Sequence, residues 1–247
     1  MGTITTRSAI SRRSFLVEAG VVAVVFGAWG LPLSAQGAAP LKIGFIGSGR
    51  QGGALGLLWA KAGHEIFFSS RHPETLKDLV AQAGPRARAG LPEDAARFGD
   101  VVVIAVPYGV LPQVGRDYAP LMKGKVVIDV GNPRVDRDGE VGKDALARGT
   151  GVTSAEYLPG VRLVRALNAL SFVQVAKEAH RLGERLGIPI ASDDQDAIAT
   201  TVRLVTDAGF EPVVVGGLAR AREFDAGTAV YVKGLTAAQL KVALKLP

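Results

Sequence analysis

A glycine-rich turn directly after an apolar strand pattern is the feature that most constrains the fold of this chain. Residues 41–52 read Leu-Lys-Ile-Gly-Phe-Ile-Gly-Ser-Gly-Arg-Gln-Gly, and an amphipathic pattern follows over 54–62. A G-x-G-x-x-G turn between a strand and a helix is typical of a nucleotide-binding β-α-β unit. In that geometry Gly47 makes the tight turn, Gly49 lets the backbone approach a pyrophosphate, and Gly52 lets the helix pack closely, with its N-terminal N–H groups toward the anion.

The same turn is predicted to bind the cofactor through three further residues, Ser48, Arg50 and Gln51. The alternative is an accidental glycine turn, since the chain has 31 glycines among 247 residues. The context favours a binding site, because a strand pattern precedes the glycines and a helix and a second strand follow them.

Strand and helix patterns alternate after residue 40, which predicts parallel β-α-β units. The predicted strands are 42–46, 65–69, 86–89, 101–106, 125–130, 162–167, 188–191 and 211–215. The predicted helices are 54–62, 73–83, a shorter one from Pro92, 194–208 and 236–244. Residues 134–151 are polar, charged and glycine-rich, and they are predicted to be loop with some helix.

These patterns together predict an α/β fold with a Rossmann-type, doubly wound parallel sheet. We assign residues 40–154 to this nucleotide-binding domain and residues 155–247 to a small C-terminal α/β lobe that completes the substrate cleft. The lobe is too small for the long helical dimerisation domain of many related dehydrogenases, and the sequence leaves a homodimer open.

The first 39 residues are predicted to be a signal peptide. Ser11-Arg12-Arg13-Ser14-Phe15-Leu16 resembles the twin-arginine export signal, and an apolar run over 21–33 and small residues over 34–39 follow it. The alternative is an uncut membrane anchor, but a run of about thirteen residues is short for a span that needs about twenty. We therefore expect export to the periplasm by the twin-arginine machinery, with the nucleotide already bound and no stable membrane span after cleavage.

Composition excludes several other classes of function. The net charge is +6, but the basic residues are scattered and no dense run or interleaved aromatics accompany them. Nucleic-acid binding is therefore not expected, and anionic small molecules account equally well for the mild positive charge. Without cysteine there is no disulfide or thiolate metal site, and His64, His72 and His180 lack metal-ligand spacing, so no metal is expected.

The residues after the second predicted strand favour NADP over NAD. NAD-binding proteins place an acidic residue at this point to bind the ribose hydroxyls, whereas this chain has Ser69-Ser70-Arg71-His72. The Ser70 hydroxyl and the Arg71 guanidinium suit a 2′-phosphate, which an aspartate would repel, and His72 is predicted to assist them. The alternative is that Arg71 is a solvated residue and that Ser70 and His72 cap the next helix.

Ligands of open α/β sheets bind at the carboxyl ends of the strands, where two further segments are predicted to lie. Val106-Pro107-Tyr108 follows the fourth predicted strand, and Asn132-Pro133 follows the fifth. We expect this first segment to expose its backbone toward the nicotinamide, and Asn132 to hydrogen-bond the ribose or the carboxamide. The alternative for both segments is an ordinary turn, since Pro and Asn are common turn residues.

These motifs and their order resemble the NADPH-dependent deazaflavin reductases, which pass hydride between NADP and coenzyme F420. The resemblance is carried by Ile46-Gly47-Ser48-Gly49 with Gly52, Ser70-Arg71, Val106-Pro107, Asp129-Val130-Gly131-Asn132-Pro133 and Val164-Arg165-Ala166-Leu167-Asn168. A similar order occurs in the cytosolic oxidoreductase domain of six-transmembrane metalloreductases, where segments similar to 154–158 and 216–223 are also recognisable.

The resemblance implies NADPH as the cofactor and a flavin or deazaflavin co-substrate that stacks near the nicotinamide. In such an enzyme the protein supplies mainly geometry, and the catalytic residues stay unassigned. The resemblance further implies that Asn168 orients the nicotinamide or ribose and that Ala166 and Leu167 wall the pocket. The alternative for all three residues is a buried strand end.

Three functions follow from these observations. The first is an NADPH-dependent oxidoreductase that transfers a hydride to or from a small flavin-like acceptor. The second is an imine or carbonyl reductase of the pyrroline-carboxylate or hydroxyacid type, for which Lys177 and Lys233 are the candidate lysines. The third is a non-catalytic NADP-binding sensor, which would need no acid–base pair.

Overall fold

The structure is a computed structural model and describes residues 1–2 and 39–247. The chain divides into two units, residues 1–39 and 40–247, and the predicted export signal at 11–16 lies outside the described residues. The second unit is an α/β fold on one eight-stranded sheet, which confirms the predicted fold class. Within the described part of the chain, no helix is both long and apolar enough to cross a membrane.

The predicted strands are all present, with ends that differ by at most two residues. They are β1 (Lys42–Ile46), β2 (Glu65–Ser69), β3 (Ala87–Gly90), β4 (Val101–Ile104), β5 (Val126–Asp129), β6 (Arg162–Ala166), β7 (Gly187–Ala191) and β8 (Glu211–Gly216). The helices are α1 (Arg50–Lys61), α2 (Lys77–Ala83), α3 (Pro92–Phe98), α4 (Leu111–Met122), α5 (Val135–Arg148), α6 (Thr150–Tyr157), α7 (Phe172–Glu178), α8 (Gln195–Asp207) and α9 (Ala237–Ala243). Short 3-10 helices cover Pro73–Leu76, Tyr108–Val110 and Leu218–Glu223.

The order of strands in the sheet is β3-β2-β1-β4-β5-β6-β7-β8. The first six are parallel, β7 is antiparallel to β6, and β8 is parallel to β7. Six parallel strands in the order 3-2-1-4-5-6 form the dinucleotide-binding arrangement, whose switch point lies between β1 and β4. The sheet continues from β5 to β6 across the predicted boundary after residue 154, and residues 40–247 form one compact unit.

Apolar side chains fill both faces of the sheet. In β4, Val101 and Val103 join one core cluster, whereas Val102 and Ile104 join the cluster on the opposite face. The continuous apolar pattern of this strand is thus explained by cover on both sides. On the first face the buried indole N–H of Trp59 donates to the Leu204 carbonyl over 2.7 Å, so α1 and α8 are tied together.

Residues 134–151 are more helical than predicted. Instead of a loop with some helix, α5 and the start of α6 occupy almost all of them. Gly139, at φ 55° and ψ −133°, interrupts the regular geometry of α5. Charged pairs four residues apart, such as Arg148 with Asp144, stabilise a helix of such polar sequence. The first helix also begins earlier than predicted, at Arg50, and α4 and α7 were not predicted.

Candidate functional site

The turn between β1 and α1 has the backbone geometry predicted for a pyrophosphate cradle. Gly47 has φ +91°, and a Cβ there would lie 2.7 Å from Val106 Cγ1 and 2.8 Å from the Ala105 carbonyl oxygen. A Cβ on Gly52 would lie 2.4 Å from the Gly47 carbonyl oxygen, so only glycine permits this packing of helix against turn. A Cβ on Gly49 would meet no atom within 4 Å, which leaves room for a ligand against its backbone.

The N terminus of α1 suits an anion. Gly49 is the N-cap, no side chain caps the helix, and the first turn holds no acidic residue. The first N–H groups of a helix have no partner within it, and together with the helix dipole they attract negative charge. Because the backbone is open at Gly49, a pyrophosphate fits against these groups.

Two serines hold the turn against the end of β2. The backbone N–H of Ser69 donates to Ser48 Oγ over 2.9 Å, and the Ser69 hydroxyl donates to the Phe45 carbonyl. Ser69 is fully buried. The turn is thereby fixed in advance, which lowers the entropic cost of binding a ligand.

A cavity of about 590 Å³ extends from the glycine turn, past the ends of β2 and β4, to helix α4. Of the predicted cofactor residues, seven line it: Gly47, Ser48, Gly49, Ser70, Arg71, Val106 and Pro107. A more open depression of about 710 Å³ lies around Pro40, Glu65 and Arg86, away from the carboxyl ends of the strands. The cavity at the glycine turn is the candidate site, because ligands of such sheets bind at those ends.

Ser70 and Arg71 form the cavity wall at which a 2′-phosphate is predicted. Arg71 is exposed, and it forms no ion pair with any residue that the structure describes. The Ser70 hydroxyl accepts the backbone N–H of His72 over 3.0 Å, so its own proton can be donated to a ligand. The His72 side chain lies 3.5 Å from Glu74, does not line the cavity and does not cap the next helix.

The side chains of Arg50 and Gln51 contact other parts of the protein and do not line the cavity, so only their backbone N–H groups remain available for the predicted role. The Arg50 guanidinium lies 4.7 Å from the centre of the Phe172 ring. Gln51 Nε2 donates to the carbonyls of Leu167 at 3.1 Å and Leu170 at 3.3 Å. Both side chains therefore tie the start of α1 to the segment after β6, while their backbone N–H groups stay at the helix N terminus.

Tyr108 is buried, in contrast to the two residues before it, which line the cavity. Its hydroxyl lies 2.7 Å from Thr153 Oγ1 and 2.8 Å from Ser154 Oγ. Burial, reinforced by the charge of Asp129, raises the pKa of Tyr108 to about 12. The Tyr108 side chain is thus a neutral anchor between the end of β4 and α6 and is turned to the protein rather than into the cavity.

A buried ion pair joins the carboxyl ends of β5 and β6. Asp129 and Arg165 are register partners, with Arg165 Nη1 2.6 Å from Asp129 Oδ2. Arg165 Nη2 also donates to the Gly131 carbonyl over 2.7 Å and lies 3.6 Å from Asp225. Burial alone would lower the pKa of Arg165, but the charges of Asp129 and Asp225 hold it above its usual value.

Helix α6 completes this buried network. Thr150 donates to Asp225 through its backbone N–H, at 3.0 Å, and through its hydroxyl, at 2.5 Å. The Ser154 hydroxyl donates to Asp129 Oδ2 over 2.8 Å. The network thereby fixes the Gly131 peptide, which immediately precedes the predicted contact Asn132.

Asn132 and Asn168 contact each other beside this network. Asn132 Nδ2 donates to the Asn168 carbonyl over 2.8 Å, and Asn168 Nδ2 donates to Asn132 Oδ1 over 3.3 Å. Asn168 is 1% exposed, and its Oδ1 has no hydrogen-bond partner among the described residues. A buried acceptor without a partner costs free energy, and the amide N–H of a carboxamide would satisfy it.

Pro133, Ala166 and Leu167 are buried and, like Asn132 and Asn168, do not line this cavity. Ala166 and Leu167 belong to the hydrophobic core, and Leu167 has the unusual φ of +62°. Their positions agree with the alternative of a buried strand end. The physical reason is that the sheet continues into β7 and its helices cover both faces of β6.

Two parts of the site were not predicted from the sequence. One is the α4 side of the cavity, formed by Gln113, Val114, Asp117 and Tyr118, because that helix was not predicted. The other is the role of Asp129 and Arg165, which lie near the ends of two strand patterns. No cluster of metal-ligating side chains occurs among residues 1–2 and 39–247.

Residues 42–133 match the family of coenzyme F420-dependent NADP oxidoreductases. This part of the chain is similar to that family. The matched residues include the glycine turn, Ser70, Arg71 and the whole lining of the cavity. The predicted resemblance is therefore confirmed for the nucleotide-binding half.

Two relatives extend the comparison. Metalloreductase STEAP3 of Rattus norvegicus is 28% identical over 192 residues, which is 75% of this chain and 36% of the relative. The F420-dependent NADP reductase of Methanocaldococcus jannaschii is 34% identical over 103 residues, which is 38% of this chain and 46% of the relative. The match to this chain thus spans less than half the length of each relative.

The fold is shared with a hypothetical protein from Sinorhizobium meliloti. The two structures superpose with a TM-score of 0.69 at 24% sequence identity, covering 79% of this chain and 95% of the other. At this identity the likeness shows the fold alone.

Proposed function

We propose that this protein is an NADPH-dependent oxidoreductase that transfers a hydride between NADP(H) and a flavin or deazaflavin acceptor. The observation that carries the nucleotide assignment is one cavity that contains both the open backbone of Gly49 and the guanidinium of Arg71, which has no ion pair among the described residues. A pyrophosphate at the first and a 2′-phosphate at the second are the anions that NADP offers. The match of residues 42–133 to a family of NADP oxidoreductases supports the same ligand.

The nicotinamide is proposed to lie beyond Val106 and Pro107, next to Asn132. Gly131 is in contact range of this wall, since a Cβ on it would lie 3.6 Å from the Val106 carbonyl oxygen. The unpartnered Asn168 Oδ1 nearby suits the N–H of the nicotinamide carboxamide. Asn132 and Asn168 would then orient the ring, and the buried network behind them would keep both in place.

The class of acceptor is proposed from the side chains that lie near the proposed nicotinamide position. The charged groups Asp129 and Arg165 are buried and paired with each other, and the buried Tyr108 hydroxyl has a raised pKa. Carbonyl reduction needs a proton donor for the oxygen, whereas transfer between two flat rings needs mainly alignment. NADPH supplies the hydride from its nicotinamide ring. The name of the archaeal relative, an F420-dependent NADP reductase, supports a deazaflavin-like acceptor.

A panel of acceptors tests this function. NADPH oxidation is followed at saturating nucleotide with FMN, riboflavin, coenzyme F420, cyclohexanone and a cyclic imine. We expect turnover with at least one flavin or deazaflavin and about tenfold or more slower turnover with the ketone and imine. Turnover confined to the ketone or imine would contradict the proposal. Tight NADPH binding without turnover of any acceptor would favour the sensor.

We also propose that the protein is exported with its nucleotide bound and recycles that nucleotide between two substrates outside the cytoplasm. The proposal rests on Arg12, Arg13 and the small residues over 34–39. Protein isolated from the periplasm should then contain NADP(H) in near-stoichiometric amount. Empty periplasmic protein with millimolar nucleotide affinity, or protein confined to the cytoplasm, would refute it.

A further inference from the structure

A second pair of an acid and an arginine lies at the start of α5. Arg137 Nε donates to Asp138 Oδ1 over 2.8 Å, and Arg137 Nη2 donates to Asp138 Oδ2 over 2.7 Å. The Asp138 side chain is only 1% exposed. Burial alone would raise the pKa of Asp138, but hydrogen bonds from Arg137 and from two backbone N–H groups hold that pKa below its usual value. The buried carboxylate is therefore ionised and bound to a cation.

This pair binds both chain segments that flank the proposed nicotinamide position. On the segment after β5, Arg137 Nη2 also donates to the Asn132 carbonyl over 2.8 Å. On the same segment, Asp138 Oδ2 accepts the Arg134 backbone N–H over 2.8 Å. On the segment after β4, the backbone N–H of Gly109 donates to the Asp138 carboxylate. The start of α5 thus joins the two segments through side chains that lie outside the cavity.

The loop that carries Asn132 is consequently held from both sides. Before Asn132, the Gly131 N–H donates to Asp129 Oδ1 over 2.8 Å. The Gly131 carbonyl accepts from Arg165 Nη2 over 2.7 Å. The next carbonyl, that of Asn132, is held by Arg137. The Asn132 side chain therefore projects from a backbone that two separate acid–arginine pairs hold in place.

We propose that Arg137 and Asp138 are positioning residues that orient the nicotinamide for hydride transfer. The inference rests on the proposed function, in which the ring lies next to Asn132. In that reaction a hydride leaves the nicotinamide of NADPH, which is oxidised, and adds to the acceptor ring, which is reduced. The reacting atoms must approach to about 3–3.5 Å, and a misplacement of about 1 Å costs about 100-fold in rate. The pair acts through Asn132 and the segment after β4, so its loss should impair transfer and leave the proposed phosphate contacts intact.

Kinetics and bound-nucleotide fluorescence of Arg137→Met in the full chain test this role. With NADPH and either FMN or coenzyme F420, kcat should fall about 10- to 100-fold, because the Asn132 loop loses one of its two anchors. The KM and the dissociation constant of NADPH should stay within about threefold, since the proposed phosphate contacts are unchanged. The emission of the reduced nicotinamide in bound NADPH reports on the ring without turnover and should approach that of free NADPH. Arg137→Lys supplies a cation without the planar fork and should recover part of kcat.

Arg97→Met is the matched control, because Arg97 also contacts an acid, Glu93, through two nitrogens, and both side chains are more than half exposed. It should match the wild type in kcat and in emission. Wild-type kcat and emission in Arg137→Met, even with a lowered melting temperature, would overturn the positioning role. A rise in the KM of NADPH at unchanged kcat would overturn it as well. A wild type that binds NADPH but turns over neither acceptor would overturn the proposed function, and the emission of Arg137→Met would then decide whether the pair orients the ring.

Discussion

Arg165 and Asp129 face each other at the ends of β6 and β5, with Arg165 Nη1 2.6 Å from Asp129 Oδ2 and both side chains at most 1% exposed. Two charges removed from water stabilise a fold only when further hydrogen bonds satisfy them. Here Arg165 also binds the Gly131 carbonyl, and Ser154 binds Asp129. The pair thus holds the loop that carries Asn132, and Arg165 is a positioning residue.

Replacement of this arginine should be strongly destabilising. Arg165→Met leaves Asp129 buried without its partner, and we expect the free energy of unfolding to fall by about 3–5 kcal/mol in urea titrations. Arg162→Met on the same strand is the control. Its pair with Asp194 is about one-third exposed, so a loss of about 1 kcal/mol or less is expected. Equal losses in the two variants would contradict the anchoring role of Arg165.

The glycine turn gives a prediction that separates binding from folding. Gly49→Ala adds a methyl group where the protein has no atom within 4 Å. The free energy of unfolding should change by less than about 1 kcal/mol, while the methyl group obstructs the proposed pyrophosphate and weakens NADPH binding about tenfold or more. Gly47→Ala, at φ +91°, should instead lose about 1–3 kcal/mol of stability. Unchanged NADPH affinity in Gly49→Ala would argue against the cradle.

His64 lies buried at the opposite end of the sheet. Its Nδ1 accepts the Leu41 backbone N–H over 3.0 Å, and its Nε2 lies 3.0 Å from Asp207 Oδ2. Because Nδ1 accepts this hydrogen bond, His64 in the folded protein is the neutral ring with its proton on Nε2. Burial lowers the pKa of His64 below 6.5; the charge of Arg203 acts in the same direction, and Asp207 opposes both.

A lowered histidine pKa makes stability depend on pH. The unfolded chain binds the proton at a higher pH than the folded chain does, so stability is lost as pH falls below 6.5 toward the folded pKa. His64→Gln keeps one acceptor and one donor but cannot be protonated. Its melting temperature should fall less than that of the wild type between about pH 7.5 and pH 5.5. An equal or steeper fall in the variant would show that His64 is not the titrating group.

Much of the fold could be predicted because its signals are local. The apolar runs that became β1, β4 and β5 each end in a turn, and their alternation with helices defines a parallel sheet. Helix α4 was missed because Pro112, Gly115 and Pro120 lie within it. Pro112 falls in the first helical turn, where a missing N–H costs nothing, so this proline is compatible with the helix.

The site was predicted only where the backbone itself forms it. Gly47, Gly49 and Arg71 lie at the cavity because the turn and the end of β2 place them there. Tyr108 and Gln51 were predicted as cofactor contacts, yet their partners are Thr153 and Leu167, which are more than forty residues away. Whether a loop side chain turns to a ligand or to the protein depends on such distant segments, which no local pattern specifies.

Nucleotide selectivity of Arg71→Ala tests the central claim, NADP binding, most directly. Only NADPH carries a 2′-phosphate, so its dissociation constant should rise about 10- to 100-fold, whereas that of NADH should stay within about twofold. Arg88→Ala is the control, since Arg88 lies over the Phe98 ring and does not line the cavity; both affinities should stay unchanged. Equal losses for NADPH and NADH in Arg71→Ala, or no loss for either, would contradict the account.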